Sequence, residues 1–231
     1  GGIRKLTLLD YPGITAATVF LAGCNLRCPF CHNAPLVLCP GKAGQIDIEE
    51  VFAYLKKRRG LLDGVCITGG EPTLDPELPW LVREIKKLGY LVKVDTNGTL
   101  PRVLRGLIDE GCVDYIAMDI KNSPAKYAMT VGVVDFDTRP VEESAALLIE
   151  CGKAGRVDYE FRTTVVRGFH EEQDFHEIGR WLRGAKRYFL QEFVDSGNLV
   201  APGLEGFGRE KMREFLEIVR RYIPGAEIRG Q

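Results

Sequence analysis

The sequence predicts an α/β fold with a parallel sheet, because short runs rich in β-branched and aromatic residues alternate with amphipathic runs of helical period. Strands that alternate with helices in this way form right-handed βα units, which build parallel sheets. The 231 residues are 45% hydrophobic, enough for one buried core, and no repeat or linker divides them. We therefore expect a single domain over residues 1–231.

Three strand–helix pairs are predicted in the first half of the chain. The strands are 15–22, 64–68 and 90–96, and the helices that follow them are 48–59, 76–88 and 101–110. The helix ends carry the usual residues, since Pro101 begins the third helix while Gly89 and Gly111 follow the second and third.

Three further pairs follow in the second half. The strands are 115–121, 158–166 and 188–193, the helices are about 141–151, 171–182 and 209–222, and a short β-like run lies near Ile228. A closed barrel of eight βα units takes about 250 residues, so six units predict an open, partial TIM-like barrel with parallel strands. A flat, doubly wound sheet is the alternative. Both architectures place the functional site at the carboxyl ends of the strands.

Charge and cysteine content exclude several classes of protein. Thirty-one basic and 32 acidic residues give a formal net charge of −1, so no global field favours nucleic acid or an anionic membrane as a partner. No apolar stretch approaches the ~20 residues of a membrane-spanning helix. Seven cysteines, of which three are clustered, do not form a disulfide framework, and we expect a reducing, cytoplasmic compartment.

Four scattered cysteines and two histidines are interpreted as structural residues. The cysteines are expected to be core thiols, because a free cysteine packs as a small hydrophobic residue. They are Cys39, Cys66, Cys112 and Cys151. His170 and His176 are expected on the surface.

The segment GCNLRCPFCHN, residues 23–33, follows the first predicted strand and contains Cys24, Cys28 and Cys31. Thiolates are soft ligands that suit zinc or iron–sulfur clusters. A zinc site needs four ligands, and His32 can be nominated as the fourth. Because Cys31 and His32 are adjacent, their side chains usually diverge, and the paired spacing of structural zinc sites is absent. The remaining option is a 4Fe–4S cluster with three protein thiolates and one open iron.

The CxxxCxxC spacing on a loop after the first strand resembles the signature of the radical S-adenosylmethionine enzymes. In that family the open iron is chelated by the amino and carboxylate groups of S-adenosylmethionine, which makes the three cysteines the implied cluster ligands. A second motif is similar to the family's GGEP loop, which holds the methionine amino group. It consists of Gly69, Gly70, Glu71 and Pro72. Taken alone, these residues could form a simple turn.

The closer resemblance is to the activating enzymes of glycyl radical enzymes, nearest to the anaerobic ribonucleoside-triphosphate reductase activating proteins. It runs from KLTLLDYPG at 5–13 through the cysteine loop to the sixth strand. It implies that the DTNG loop, with Asp95, Thr96 and Asn97, and the DIK loop, with Asp119 and Lys121, bind the methionine part of the cofactor. By the same resemblance, Asp95, Thr96 and Asp119 hold a monovalent cation and Lys121 faces the methionine carboxylate. The alternative is that the two aspartates are strand-end caps and Lys121 is their surface partner.

Three further residues are implied to face the cofactor. Arg162 on the fifth predicted strand is one, with a solvated arginine as the alternative, and Phe30 is expected beside the adenine. Gln191 lies near the place where pyruvate formate-lyase activases have a histidine beside the ribose. That departure weakens a formate-lyase assignment.

The resemblance implies an anaerobic oxidoreductase with a protein substrate. A flavodoxin or ferredoxin would supply one electron, S-adenosylmethionine would be cleaved to methionine and a 5′-deoxyadenosyl radical, and that radical would take hydrogen from a glycine of the partner. An anaerobic ribonucleoside-triphosphate reductase is the expected partner. Two alternatives remain, a radical enzyme that acts on a small molecule, similar to a carboxydeazaguanine synthase, and a zinc-bound interaction module.

Overall fold

A computed structural model describes residues 1–41, 44, 46–195, 197 and 199–230 of the chain. Within them, eight strands form one sheet whose spatial order follows the chain. The strands are β1 (Gly2–Thr7), β2 (Ala16–Leu21), β3 (Gly64–Gly69), β4 (Leu91–Thr96), β5 (Tyr115–Asp119), β6 (Asp158–Val165), β7 (Tyr188–Glu192) and β8 (Ala226–Arg229).

Helices connect the strands. They are α1 (Ala34–Leu38), α2 (Ile48–Lys57), α3 (Leu78–Lys87), α4 (Pro101–Asp109), α5 (Tyr127–Val131), α6 (Arg139–Lys153), α7 (Glu172–Trp181) and α8 (Arg209–Arg220), with short 3₁₀ helices at Pro72–Leu74 and Pro124–Lys126. None of the helices in the described part of the chain is long and apolar enough to cross a bilayer.

The sheet is an open, partial barrel. Strands β2 to β8 pair in parallel with their neighbours, and β2 to β7 are each followed by helix, which gives the six expected βα units. A doubly wound sheet would reverse its strand order at a switch point, whereas this order runs in one direction. Among the described residues, β1 and β8 do not pair with each other, so the barrel stays open. The predicted fold class is confirmed.

The two faces of the parallel strands differ in character. One face is apolar and packs with the helices in the main core, and it includes Val65, Ile67, Val92, Val94, Ile116, Met118 and Phe161. Alternate residues point to the opposite face. That inner face carries charged side chains, which contact one another across the strands, and they include Lys93, Asp95, Asp119, Glu160, Arg162 and Arg229. The curvature of the sheet therefore encloses a polar interior.

Three elements differ from the sequence prediction. Strand β1 pairs antiparallel with β2 at the edge of the sheet, and its polar segment Arg4–Lys5 is exposed, so the segment lacks the apolar pattern of a buried strand. Helices α1 and α5 contain five residues each, too few to show a helical period.

Of the four scattered cysteines, Cys66, Cys112 and Cys151 are buried as predicted. The prediction for Cys39 was wrong, because Cys39 is exposed.

Candidate active site

A cavity of about 210 Å³ lies at the carboxyl ends of strands β2 to β6. This is the end of the sheet at which parallel α/β folds place their functional residues. Its wall combines thiols with polar and apolar side chains, and it consists of Cys24, Leu26, Cys28, Phe30, Cys31, His32, Asn33, Val37, Thr68, Gly69, Gly70, Glu71, Asp95, Thr96, Asn97, Asp119, Lys121, Arg162 and Thr164. Most residues singled out in the sequence thus meet at one place.

The loop that carries the three cysteines, residues 22–33, is anchored to distant parts of the chain. The N–H of Gly23 donates to the Leu36 carbonyl at 2.9 Å, and the N–H of Arg27 donates to the Val131 carbonyl at 2.8 Å. The Pro29 carbonyl accepts from Ala201 N–H at 2.9 Å. These bonds attach the cysteine loop to three other segments of the chain.

The thiols are in a chemical setting that suits a metal cluster. All three line the same cavity, and burial raises the pKa of the Cys28 thiol to about 12 and also raises the pKa of the Cys24 thiol. Metal coordination deprotonates such thiols outright. Three thiols at one cavity are soft donors of the kind that suit zinc or an iron–sulfur cluster.

Two glycines allow the loop after β3 to pack directly on the cysteine loop. A Cβ on Gly69 would lie 2.1 Å from the Leu21 carbonyl oxygen, and a Cβ on Gly70 would lie 1.9 Å from that of Gly23. At this close approach the N–H of Gly70 donates to Leu21 at 2.9 Å, and the N–H of Glu71 donates to Gly23 at 2.8 Å. The GGEP segment is therefore more than a simple turn, because it packs on and hydrogen-bonds to the end of β2 and the start of the cysteine loop.

The Glu71 carboxylate links the loops after β3 and β4. Its Oε1 accepts from the Thr96 hydroxyl at 2.8 Å and from the N–H of Thr73 at 3.1 Å, and its Oε2 accepts from the N–H of Asn97 at 2.6 Å. Burial raises the pKa of this carboxyl, against the lowering effect of its donors. Pro72 begins the 3₁₀ helix behind the loop and does not line the cavity.

Asn97 extends the linkage to the cysteine loop. Its Nδ2 donates to Asn25 Oδ1 at 2.9 Å, and its Oδ1 accepts from the N–H of Thr99 at 3.0 Å. Asn33, on the cysteine loop, donates to the Gly69 carbonyl at 2.6 Å. The three loops after β2, β3 and β4 therefore form one hydrogen-bonded unit.

A partly buried ion network forms the floor of the cavity. Arg162 Nε donates to Asp119 Oδ1 at 2.8 Å and Arg162 Nη1 to Asp95 Oδ2 at 3.3 Å, while Lys121 donates to Asp119 Oδ2 at 2.9 Å. Burial alone would raise the pKa of both carboxyls, but the Arg162 guanidinium, aided by lysine charges, outweighs it and lowers both pKa values. The Arg162 side chain is 13% exposed, so it is not a solvated arginine.

Lys93 is a member of this network that the sequence analysis missed. It lies on the inner face of β4, its side chain is 1% exposed, and its ammonium contacts Asp95 and the Cys66 sulfur, the latter at 3.6 Å. Its place in VKVDT, two residues before Asp95, was the available signal, since side chains at i and i+2 of a strand share a face.

The remaining predicted residues take different positions. Phe30 is buried, lines the cavity and meets the Phe169 ring edge-on at 5.6 Å between centroids. Gln191 on β7 pairs in register with Thr164 on β6, but Gln191 is not part of the cavity wall. The residues of the wall that were not predicted to face a cofactor include Asn33, Thr68 and Thr164.

His170 is not a surface residue, and the prediction for it was wrong. Its side chain is buried, with Nε2 at 2.9 Å from the Lys121 carbonyl and Nδ1 accepting from the N–H of Val166 at 3.1 Å. His170 therefore holds the backbone of Lys121 from behind. His176 is partly buried, and its Nδ1 lies 3.0 Å from the Tyr222 hydroxyl.

The fold and the site define an α/β protein of the partial-barrel class with a thiol-lined cavity at the strand ends. The family model of the radical SAM superfamily matches residues 18–182, and the chain belongs to that superfamily. The match includes the cysteine loop and the strands that carry the rest of the cavity wall.

Two kinds of relative are similar in sequence. A protein of Methanocaldococcus jannaschii that carries the provisional name of a glycyl-radical enzyme activating enzyme is 33% identical over 231 residues, which is 99% of this chain and 94% of that protein. A 7-carboxy-7-deazaguanine synthase of Aquifex aeolicus is 36% identical over 88 residues, 38% of each chain. The chain thus spans well under half of that synthase.

Solved structures share the fold. The structure of Streptococcus suis SuiB bound to the precursor peptide SuiA matches 92% of this chain and 48% of its own, with a TM-score of 0.71 and 15% identity. SuiB bound to S-adenosylmethionine matches 92% of this chain and 50% of its own, with a TM-score of 0.68 and 16% identity. At these identities the likeness concerns the fold alone.

Proposed function

We propose that the protein is a radical S-adenosylmethionine activating enzyme that generates a glycyl radical on a partner enzyme, for which an anaerobic ribonucleoside-triphosphate reductase is the leading candidate. The observation that carries this proposal is the end-to-end match to the M. jannaschii relative, which covers 99% of this chain and 94% of that protein. The match to the synthase covers 38% of each chain.

The three thiols are the proposed ligands of one 4Fe–4S cluster, and the cavity beside them is the proposed site for S-adenosylmethionine. When bound, the cluster and cofactor would supply reductive cleavage of a carbon–sulfur bond and the 5′-deoxyadenosyl radical that takes hydrogen from glycine. Cys24, Cys28 and Cys31 line one cavity with the residues that would receive the cofactor.

The polar wall would orient the methionine part of the cofactor. The N–H groups of Gly70 and Glu71 already donate to the Leu21 and Gly23 carbonyls, so this segment offers acceptor oxygens, which suit an ammonium group. Lys121 and Arg162 bring positive charge to the opposite part of the wall, which suits a carboxylate. Asp95, Thr96, Asn97 and Asp119 fix these groups in place.

Apolar residues would exclude water from the reacting centre. Leu26, Phe30 and Val37 are buried and belong to the same wall. A dry cavity protects a radical from side reactions and strengthens the electrostatic contacts around it. The proposed place of Phe30 beside the adenine agrees with this role. Gln191 on β7 does not line the cavity, so it would contact only a part of the cofactor that extends beyond the cavity.

A protein substrate is part of the proposal. The open barrel leaves space for a glycine-bearing segment, which has no side chain to obstruct a close approach. SuiB, which shares the fold, is described with a precursor peptide bound. The electron donor would be a flavodoxin or ferredoxin, and the seven free cysteines suit a reducing cytoplasm.

A second candidate is synthesis of 7-carboxy-7-deazaguanine. The local match of 36% over 88 residues to the Aquifex aeolicus enzyme favours it. In that case the substrate would be a small molecule and the cavity would close over it.

One experiment separates the two candidates. Anaerobic protein is reconstituted with iron and sulfide, reduced, and incubated with S-adenosylmethionine with and without an anaerobic ribonucleoside-triphosphate reductase. We expect 5′-deoxyadenosine and a radical signal on the reductase that changes when its glycine is deuterated. Cleavage of S-adenosylmethionine with no radical on the reductase would favour the second candidate.

The matched control uses two cysteines. Cys24→Ala should abolish cofactor cleavage and cluster binding, whereas Cys39→Ala should retain both, because Cys39 is exposed and outside the cavity wall. Retained cleavage with full iron content in the Cys24 variant would contradict the ligand assignment.

A further inference from the structure

The carboxylate oxygens nominated for a monovalent cation are already paired with basic side chains. Asp95 Oδ1 accepts from Lys93 and Asp95 Oδ2 from Arg162. Asp119 Oδ1 accepts from Arg162 and Asp119 Oδ2 from Lys121. All four oxygens therefore have a cationic donor.

The third nominated ligand is engaged as well. The Thr96 hydroxyl donates to Glu71 Oε1 at 2.8 Å and accepts from the N–H of Gly98 at 3.1 Å. To coordinate an ion, Thr96 would have to give up a contact that joins the loops after β3 and β4. The donor set does not fit a monovalent cation without the loss of these bonds.

The buried ammonium of Lys93 depends on its ion pair with Asp95. Its side chain is 1% exposed, and a buried ammonium is costly unless a carboxylate pairs with it. Within the described residues, Asp95 is the carboxylate that pairs with Lys93, and the other recorded partner is the neutral thiol of Cys66. If Asp95 turned to a metal ion, the Lys93 ammonium would stay buried beside it as an uncompensated like charge.

The charge balance leads to the same conclusion. Lys93, Lys121 and Arg162 bring three positive charges to the two carboxylates Asp95 and Asp119. The positive charges of the network therefore already neutralise both carboxylates, and no further cation is needed to balance them.

We propose that the Lys93 ammonium takes the place of the monovalent cation, so that the site binds S-adenosylmethionine without any monovalent metal ion. The lysine pairs with Asp95, and the network presents Lys121 and Arg162 on the cavity wall to the carboxylate of the cofactor. The inference rests on the cofactor binding contained in the proposed function, and it is independent of which partner is activated.

The first test measures the wild-type protein. The affinity of the reconstituted protein for S-adenosylmethionine is measured by calorimetry in potassium, sodium and tetramethylammonium chloride at equal ionic strength. The thermal midpoint is measured in the same salts. We expect the dissociation constant and the midpoint to be the same in the three salts, and a saturable potassium effect of about tenfold on affinity would overturn the inference.

The second test uses a matched pair of lysine variants. Lys93→Ala removes the ammonium and leaves space beside Asp95, so affinity and thermal midpoint should become potassium-dependent. Lys86→Met removes a lysine that pairs with Asp114 at 2.8 Å away from the cavity, and it should remain insensitive to the choice of salt. If Lys93→Ala binds the cofactor as tightly as wild type in every salt, the inference is wrong.

The role of Lys93 can still be tested if Lys93→Ala does not fold or if wild type does not bind the cofactor. If Lys93→Ala does not fold, Lys93→Met conserves the volume and removes the charge, and it should lose about tenfold in affinity in all three salts; unchanged affinity would contradict the inference. If wild type binds no S-adenosylmethionine, the proposed function fails, and the salt dependence of the thermal midpoint still decides the role of Lys93.

Discussion

The carboxylate of Glu71 accepts a hydrogen bond of 2.6 Å from the backbone N–H of Asn97, and both residues are buried. This one contact connects the loop after β3 with the loop after β4. Because Glu71 also donates its own N–H to Gly23, the contact reaches the cysteine loop. The geometry of the thiols thus depends on a carboxylate that follows the neighbouring strand β3.

Replacement of Glu71 by glutamine tests this dependence. An amide has one acceptor oxygen where the carboxylate has two, so either the Asn97 N–H or the Thr96 hydroxyl loses its acceptor. We expect Glu71→Gln to lower the free energy of unfolding by about 1–3 kcal/mol, measured by denaturant titration. The control is Glu84→Gln on the surface of α3. An unchanged midpoint for Glu71→Gln would show that the loops are held by other contacts.

A methyl group on Gly70 should separate the two loops. The added Cβ would meet the Gly23 carbonyl oxygen at 1.9 Å, and backbone atoms cannot move aside as a flexible side chain can. We expect Gly70→Ala to fold but to bind markedly less iron and sulfide per chain after reconstitution. Gly106→Ala is the matched control, because a Cβ at Gly106 in α4 meets nothing within 4 Å. Full iron content in Gly70→Ala would rule out this role for the glycine.

Removal of Arg162 should destabilise the protein strongly. The guanidinium joins Asp95 and Asp119, and without it two partly buried carboxylates lose their shared partner. We expect Arg162→Gln to lower the free energy of unfolding by about 3–5 kcal/mol. The comparison is Arg139→Gln, because Arg139 pairs with Asp137 at 2.7 Å on the surface and its loss should leave the midpoint unchanged. Similar effects of the two substitutions would argue against a supporting role for the network.

The pH dependence of stability should report on His170. Burial lowers the pKa of this imidazole, so the unfolded chain binds a proton more readily than the folded protein below the ordinary pKa of about 6.5. The contribution of His170 is complete above that pH and is lost as the pH falls from about 6.5 toward the lower pKa of the folded state.

A direct comparison isolates this contribution. The unfolding free energy of wild type should decrease between about pH 7 and pH 5 more steeply than that of His170→Gln. An identical slope in the His170 variant would mean that this histidine does not control the acid limb.

The sequence was informative where a local pattern determines the outcome. The strand and helix periods predict β2 to β7 and the six βα units, because each interior strand has an apolar outer face. The cysteine, GGEP, DTNG and DIK segments all follow strand ends, so parallel topology alone brings them to one edge. Lys93 and His170 were not predicted, because burial of a polar side chain depends on partners distant in sequence. Lys121, for example, is 49 residues from the histidine that holds its carbonyl.

The contact between Pro29 and Ala201 has a consequence for how the protein is made. The three cysteines lie near the start of the chain, yet their loop is anchored by an N–H that lies 172 residues further on. During translation, the ribosome adds the three cysteines long before it adds Ala201, whose N–H completes the anchorage of their loop. Truncation before Ala201 would leave the thiols on a loop without that support, and we expect maturation of the proposed metal centre to follow synthesis of the chain through Ala201.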